Sequence, residues 1–193
     1  MIHPHAELAM VSPEIGLGLV ARQFIPRGTL TWVHDPLDQV LPADFVARLP
    51  PLFAQLTVRF AYRNVRGDYV LAWDDTRFMN HSCQHNCALT PFGFEIAIAD
   101  ILPGEQLSND YAMLNLEPDE RLVCQCGLPP CRGLIGPADR ASREAGWRAE
   151  IRTALACAGA VDQALQELLP AQTLAAAGLH YDVAGAARPP ISP

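Results

Sequence analysis

The sequence has no apolar run that approaches the roughly 20 residues needed to span a bilayer. Its beginning, MIHPHAELAM, also lacks the apolar core of a secretory signal peptide. These absences predict a cytoplasmic protein without a membrane partner, although export by a route without a cleaved signal stays open. A basic excess is absent too, because 21 acidic residues against 14 basic ones give a formal net charge of −7. This charge argues against direct nucleic-acid binding and suits a basic protein partner.

Internal repeats are absent as well, and 193 residues with 50% hydrophobic content can bury one sizeable core. The first two thirds of the chain predict short strands and many turns. GLGLVARQFI and GTLTWV are predicted strands separated by a turn, YRNVRGDYVLAW is a predicted hairpin, and FEIAIADI alternates with the period of a strand. The fold class expected from this pattern is mostly β with α, or α+β.

Helical patterns occur in two places. PADFVARLPPLFAQL predicts two short helical turns broken at Pro50 and Pro51. After Pro137, we expect a helix capped by Ser142, two more helices in VDQALQELL and AQTLAAAG, and a frayed tail, ARPPISP.

Four of the six cysteines form a split pattern that is typical of a metal site. CQCGLPPC supplies Cys124, Cys126 and Cys131 on a tight loop, and Cys83 lies far upstream in RFMNHSC. Four thiolates would form a closed tetrahedral zinc site that joins two distant segments. A disulfide framework is disfavoured by the chain length and by the one-residue spacing in CQC. The remaining Cys87 and Cys157 lack partners at ligand spacing, so we interpret both as ordinary buried thiols.

Three further strings could carry chemistry. GLGL at Gly16 is by itself most simply a glycine-permitted bend or bulge in a strand. In RFMNHSC, polar side chains directly precede the candidate ligand Cys83. A thiol–imidazole pair of Cys83 with His81 is disfavoured, because residues two apart on a turn seldom align. GEQLSNDY ends at Tyr111, and a tyrosine near a reacting amine can orient it and accept or share its proton.

Taken together, these strings resemble the SET-domain protein lysine methyltransferases with a post-SET zinc motif, of the small bacterial type. The family's R-F-[IM]-N-H-S-C-x-P-N, G-E-E-L-T-x-D-Y and C-x-C-G-x3-C-R-G strings correspond to RFMNHSCQHN, GEQLSNDY and CQCGLPPCRG. The resemblance implies a SET-domain fold of short-stranded sheets with a pseudoknot, over residues 1–122. It further implies a zinc-bound post-SET loop at 123–137. The helical segment at 138–193 lies outside the resemblance, and we expect it to be a C-terminal appendage that packs on the domain or forms a homodimer.

The resemblance also implies a function, which is methyl transfer from S-adenosyl-L-methionine to the side-chain amine of lysine in a protein or peptide. Tyr111 would be catalytic, and the four clustered cysteines would hold a structural zinc ion. The cofactor contacts implied by the family motifs, with Tyr62 and Arg77 as the weaker candidates, are Gly16, Leu17, Gly18, Tyr62, Arg77, Asn80 and His81.

Three departures from the family pattern keep an alternative open. His85 replaces a proline, Asn109 replaces a tyrosine or phenylalanine near the amine, and Leu134 and Ile135 replace an aromatic residue that covers the cofactor. The number of methyl groups added is therefore not assigned. The alternative is a catalytically silent, zinc-stapled SET-fold module that recruits a protein partner through its helical tail.

Overall fold

Short strands dominate the first two thirds of the protein, as the alternation and the turn residues predict. The computed structural model describes residues 1–179, and within that range the strands form four small sheets. The strands are β1 (Ala6–Ser12), β2 (Gly16–Ala21), β3 (Leu30–Val33), β4 (Gln39–Leu41), β5 (Ala61–Arg63), β6 (Tyr69–Leu71), β7 (Asn80–His81), β8 (Cys87–Leu89), β9 (Phe94–Ala97), β10 (Gln106–Asn109), β11 (Leu122–Val123) and β12 (Leu134–Ile135).

One sheet brings the sequence motifs together. Its strand order is β1-β2-β10-β7, with β10 antiparallel to β2 and parallel to β7. In this register Ser108 lies opposite Asn80, and Asn109 lies opposite His81. The other sheets have the orders β3-β9-β8, β4-β6-β5 and β11-β12. The predicted hairpin is the β5–β6 pair, in which Tyr62 lies opposite Val70.

The strand β1 was not expected from the sequence. Its residues, AELAMVS, are mostly good helix formers, but they pair along their length with β2, from Ala6 opposite Ala21 to Ser12 opposite Gly16. Pairing with a neighbouring strand decides the conformation here, because strand propensity depends strongly on context.

The helices are α1 (Ala43–Ala47), α2 (Pro51–Phe60), α3 (Pro137–Cys157) and α4 (Ala171–Ala177). The break at Pro50 and Pro51 separates α1 from α2, as predicted. None of the helices within residues 1–179 has both the length and the apolarity required to cross a membrane.

Two helix predictions were wrong. Ser142 does not cap α3, which already begins at Pro137, where the fixed φ of proline suits the first helical position. The cap is Gly136, whose N–H donates to the Asp139 carboxylate at 2.8 Å. VDQALQELL forms only a 3-10 turn at Gln166–Leu168. In that segment, the Gln163 side chain donates to the carbonyl of Gly28 and accepts from the N–H of Leu30, so it bonds a distant loop.

The C-terminal helices complete the main core. Trp147, Ile151 and Ala154 of α3 are buried in the same cluster as Phe94 and Ile96 of β9. Leu174 and Ala177 of α4 belong to this cluster too. The predicted domain boundaries stay predictions, and the predicted frayed tail lies outside the described residues.

Candidate active site

Tyr111 is held from two sides immediately after β10. Its hydroxyl donates a 2.7 Å hydrogen bond to the carbonyl oxygen of Met79. Its backbone N–H donates to Nδ1 of His81 at 3.2 Å. Burial, and secondarily the negative charge of Glu95, raises the pKa of Tyr111 to about 12. The phenol therefore stays protonated at neutral pH, where it can donate one hydrogen bond and accept another.

The GLGL string lies against Asn80, as the motif resemblance implies. Nδ2 of Asn80 donates to the carbonyl of Leu17 at 3.0 Å and to Oε1 of Gln106 at 3.1 Å. A Cβ atom on Gly18 would lie 2.6 Å from that same Nδ2, so only glycine permits this approach. Gly16 has a different reason to be glycine, since its φ of 84° is in the left-handed region.

Two cavities share Tyr111 in their walls. The predicted residues Gly16, Leu17 and Gly18 line neither cavity, although the preceding Ile15 lines the smaller one. Asn80 and His81 line the smaller cavity together with Tyr111. Tyr62 and Arg77 instead line the larger cavity, of about 630 Å³, which Tyr111 also lines. Apolar side chains dominate the larger cavity's wall, among them Trp32, Val58, Phe60, Val70, Leu89 and Leu114.

A buried carboxylate in the wall of the larger cavity was missed by the sequence analysis. Glu95 of β9 is only 5% exposed, and its Oε1 accepts a 2.7 Å hydrogen bond from Nδ2 of Asn109. Burial raises the pKa of Glu95 to about 7, against the opposing effect of this hydrogen bond. The available signal in the sequence was a charged residue within the otherwise apolar segment FEIA. In the structure all four residues of this segment are buried.

The four predicted cysteine ligands form one cluster. Their sulfur atoms all lie within 4.8 Å of one another, and Sγ of Cys83 is 3.7 Å from Sγ of Cys124. Thiolates about 2.3 Å from a tetrahedral zinc ion would lie roughly 3.8 Å apart, so these positions fit the ion. Backbone N–H groups of Cys126, Arg132 and Gly133 donate to the sulfurs, as suits charged thiolates.

A match to a known protein family identifies the domain that contains these groups. The family model for the SET domain matches residues 16–112, which is half of the chain. The chain belongs to the SET-domain family. The matched segment of this SET domain runs from the start of β2 to the turn that holds Tyr111, and the cysteine loop and α3 follow it.

Curated relatives of this SET-domain chain have names that specify histone-lysine methylation. The H3 lysine-36 specific histone-lysine N-methyltransferase of Schizosaccharomyces pombe is 28% identical over 152 residues, which are 72% of this chain and 19% of that protein. Histone-lysine N-methyltransferase ash1 of Drosophila melanogaster is 38% identical over 69 residues, which are 32% of this chain and 3% of that protein. The chain thus spans less than a fifth of the length of either relative.

A solved structure is also similar to this SET-domain protein. The methyltransferase domain of human histone-lysine N-methyltransferase SETMAR has 24% sequence identity and a TM-score of 0.48, over 70% of this chain and 58% of that one.

The contact between Cys83 and His81 differs from the expectation that the two side chains would not align. Sγ of Cys83 lies 3.6 Å from Nε2 of His81. The other ring nitrogen of His81 accepts a hydrogen bond from the backbone N–H of Tyr111. The same sulfur is part of the cysteine cluster of this SET-domain protein, where a zinc ion would hold it.

The departures from the SET-domain motifs have distinct surroundings. His85 is buried, with Nε2 3.6 Å from a carboxylate oxygen of Glu150 on α3. Asn86 bonds the backbone of Gln106 and Ser108 with its side chain, which fixes the turn. Leu134, by contrast, is 52% exposed.

An ion-pair network that the motifs did not reveal joins three parts of this SET-domain protein. Asp110 is fully buried, and its two carboxylate oxygens contact Arg132 at 2.6 Å and Arg143 at 3.0 Å. Arg132 follows Cys131 and also donates to the sulfur of Cys83, while Arg143 lies on α3. Burial alone would raise the pKa of Asp110, but the hydrogen bond and charge of Arg132 outweigh burial and lower it. The network therefore connects Asp110, which precedes Tyr111, to the cysteine loop and to α3.

We expect Asp110→Asn to lower the free energy of unfolding by about 3 kcal/mol at pH 7, because the two arginines would lose their buried counter-charge. The folded-state pKa of Asp110 lies below its unfolded value of 3.8. The contribution of the carboxylate is therefore complete above that value and is lost as the pH falls through the folded pKa. Urea denaturation of both proteins from pH 7 to pH 2 should show their difference in stability shrinking at the acid end.

The matched control is Asp139→Asn. Asp139 lies 3.4 Å from the same arginine but is partly exposed, so we expect its replacement to cost about 1 kcal/mol or less. Equal costs for the two variants would contradict the role assigned to Asp110.

Proposed function

We propose that this SET-domain protein transfers a methyl group from S-adenosylmethionine to the side-chain amine of a lysine in a protein substrate. One observation carries the proposal. The hydroxyl-bearing Tyr111 lines both cavities, one of them lined also by the motif residues Asn80 and His81 and the other largely apolar. Two reactants bound in the two cavities would both contact this tyrosine. The names of the curated relatives support the same reaction class.

The smaller cavity is the proposed cofactor side. Bound S-adenosylmethionine would supply an electrophilic methyl group carried on a sulfonium sulfur. The backbone of Gly16, Leu17 and Gly18 and the side chain of Asn80 would hold it, and the close fit between Gly18 and Asn80 suits such a cradle. Tyr62 and Arg77, which line the other cavity, are better placed to contact the protein substrate.

The larger cavity is the proposed lysine side. A lysine ammonium group, with an unperturbed pKa near 10.4, must lose a proton before its nitrogen can attack. The apolar wall favours the neutral amine by removing water from it. Tyr111, which stays protonated, would orient the nitrogen lone pair toward the methyl group, and this alignment would provide most of the rate enhancement.

Zinc is proposed as a structural ion on Cys83, Cys124, Cys126 and Cys131. Four thiolates leave no open position for a substrate, so the site would stabilise the loop that borders the smaller cavity. The substrate is proposed to be a basic protein or peptide, in keeping with the net charge of −7. A homodimer through the C-terminal helices and a cytoplasmic location stay predictions.

Calorimetry with S-adenosylmethionine tests the proposal against the catalytically silent alternative. We expect saturable binding at or below millimolar cofactor, and transfer of label from S-[methyl-³H]adenosylmethionine to recombinant core histones. Asn80→Ala should weaken cofactor binding at least about tenfold, because the side chain that holds the Leu17 backbone in place is lost. The absence of both binding and transfer in the unmodified protein would leave the silent module as the better description.

A further inference from the structure

The pair formed by Glu95 and Asn109 in the larger cavity has hydrogen-bond acceptors without donors. Oε1 of Glu95 accepts from Asn109, but the buried Oε2 of Glu95 and the buried Oδ1 of Asn109 have no hydrogen-bond partner among residues 1–179. Both residues line the cavity beside Tyr111. Two unsatisfied acceptors, one of them on a carboxylate, are costly inside a protein unless a donor reaches them.

No side chain of the protein itself can supply an ammonium donor. All 14 of its basic residues are arginine, and the sequence contains no lysine. The arginines that line this cavity have other contacts. Arg63 pairs with Glu117, Arg77 donates to the carbonyl of Trp73, and the guanidinium of Arg59 lies over the ring of Phe60. An ammonium donor for these two acceptors would therefore come from a molecule that enters the cavity.

We propose that Glu95 and Asn109 together bind the substrate's ε-ammonium group, with Oε2 of Glu95 and Oδ1 of Asn109 accepting its N–H bonds next to Tyr111. This inference rests on the proposed function and deepens it, because it identifies the groups that recognise the amine. It also gives a role to Asn109, at the position where the chain departs from the motif. Glu95 lies outside all three motif strings.

The hydrogen-bond acceptors of Glu95 and Asn109 determine which side chain can bind beside them. A lysine amine offers two or three N–H donors, whereas a trimethyllysine offers none and a norleucine side chain has no nitrogen at all. The carboxylate adds charge attraction to the entering ammonium group, which is strong in a buried setting and acts on binding, whereas removal of water by the apolar wall favours the later loss of the proton. With a pKa near 7, an empty Glu95 is partly protonated at neutral pH, and an entering ammonium group would favour its ionised form. Recognition would thus require the nitrogen and at least one of its hydrogens.

Glu95→Gln separates recognition from folding. The glutamine Oε1 can still accept the hydrogen bond from Asn109, so the internal contact is kept. The free oxygen becomes an NH₂ donor, which opposes an incoming N–H, and the charge is lost. Glu95→Asp keeps the charge on a shorter side chain. Glu105→Gln removes the same charge at an exposed position outside the cavity and is the matched control.

The binding experiment uses an acetylated heptapeptide with a central lysine flanked by alternating alanine and arginine. Its matched versions carry norleucine or trimethyllysine at the centre. In the presence of S-adenosylhomocysteine, we expect the unmodified protein to bind the lysine peptide at least about tenfold more tightly than either version. Glu95→Gln should reduce this preference to less than about threefold, and Glu105→Gln should keep it. Full preference in Glu95→Gln would overturn the inference.

A kinetic experiment tests the amine-binding role of Glu95 even if the heptapeptide binds too weakly to measure. With core histones as the methyl acceptor, Glu95→Gln should lower kcat/KM at least about tenfold, mainly through KM, while its thermal unfolding stays unchanged. Glu95→Asp should recover part of the loss. Normal kcat/KM in Glu95→Gln would reject the amine-binding role and leave the proposed methyl transfer intact. No transfer by the unmodified protein would reject the proposed function, and this inference with it.

Discussion

Replacing Tyr111 by phenylalanine is expected to lower the rate of methyl transfer by roughly a hundredfold or more, with the protein still folded. The change removes one oxygen atom, which donates to the carbonyl of Met79 and, in the proposed reaction, orients the amine. Removing a positioned polar group of this kind typically costs 10² to 10⁴ in rate. The buried Met79 carbonyl would lose its side-chain partner, so stability should fall by only about 1 to 2 kcal/mol.

Single-turnover transfer of labelled methyl to core histones measures this effect, and calorimetry checks that S-adenosylmethionine still binds Tyr111→Phe. The matched control is Tyr69→Phe, which deletes a hydroxyl from another tyrosine that borders the larger cavity, under the guanidinium of Arg63. The control should change the rate less than about threefold. Unchanged turnover in Tyr111→Phe would remove this hydroxyl from the mechanism.

Loss of the proposed zinc ion is expected to reduce methyl transfer and local order together. Cys83 lies two residues after His81, the last residue of β7, and the other three cysteines lie on the loop between β11 and β12. Gln125 of this loop lines the smaller cavity together with residues of β11 and β12. Without the ion, the four cysteines within 4.8 Å of one another would lose the bonds that join them, and the loop would separate from the motif strand. We expect at least a tenfold loss of transfer.

Cys124→Ser and prolonged dialysis against a chelator are two routes to this state. Zinc content by atomic absorption, hydrogen exchange across residues 122–135 and methyl transfer should all change in parallel. Cys157→Ser is the matched control, because Cys157 lies outside the cluster and donates only to a carbonyl of its own helix. It should keep full zinc content. Full activity in metal-free protein would contradict the proposed structural role of the ion.

The parts of the site that the sequence predicted are those whose residues recur at fixed spacing. RFMNHSC, NDY and the cysteine run are local strings, and the structure brings Asn80, Tyr111 and the four cysteines to one region. Chemistry that depends on partners distant in sequence was not predictable. The role of Glu95 depends on its hydrogen bond with Asn109, and the role of Asp110 depends on its ion pair with Arg143. No spacing rule in the sequence links the residues of either pair.

The same distinction holds for the fold. The pairs Pro50–Pro51 and Gly67–Asp68 marked a helix break and a hairpin, because these residues restrict or permit particular backbone angles. AELAMVS and VDQALQELL have helical composition but form a strand and a 3-10 turn, since pairing with β2 and the hydrogen bonds of Gln163 compete with local preference.

The burial of Trp147 and Ile151 against β9 has a consequence for synthesis of the chain. When residue 136 has just left the ribosome, every motif strand is present, yet Phe94 and Ile96 still lack the helical side chains that cover them. Contacts between segments this far apart along the chain form late in folding. We therefore expect the apolar surface of β9 to stay uncovered, and accessible to chaperones, until α3 and α4 emerge and complete the core.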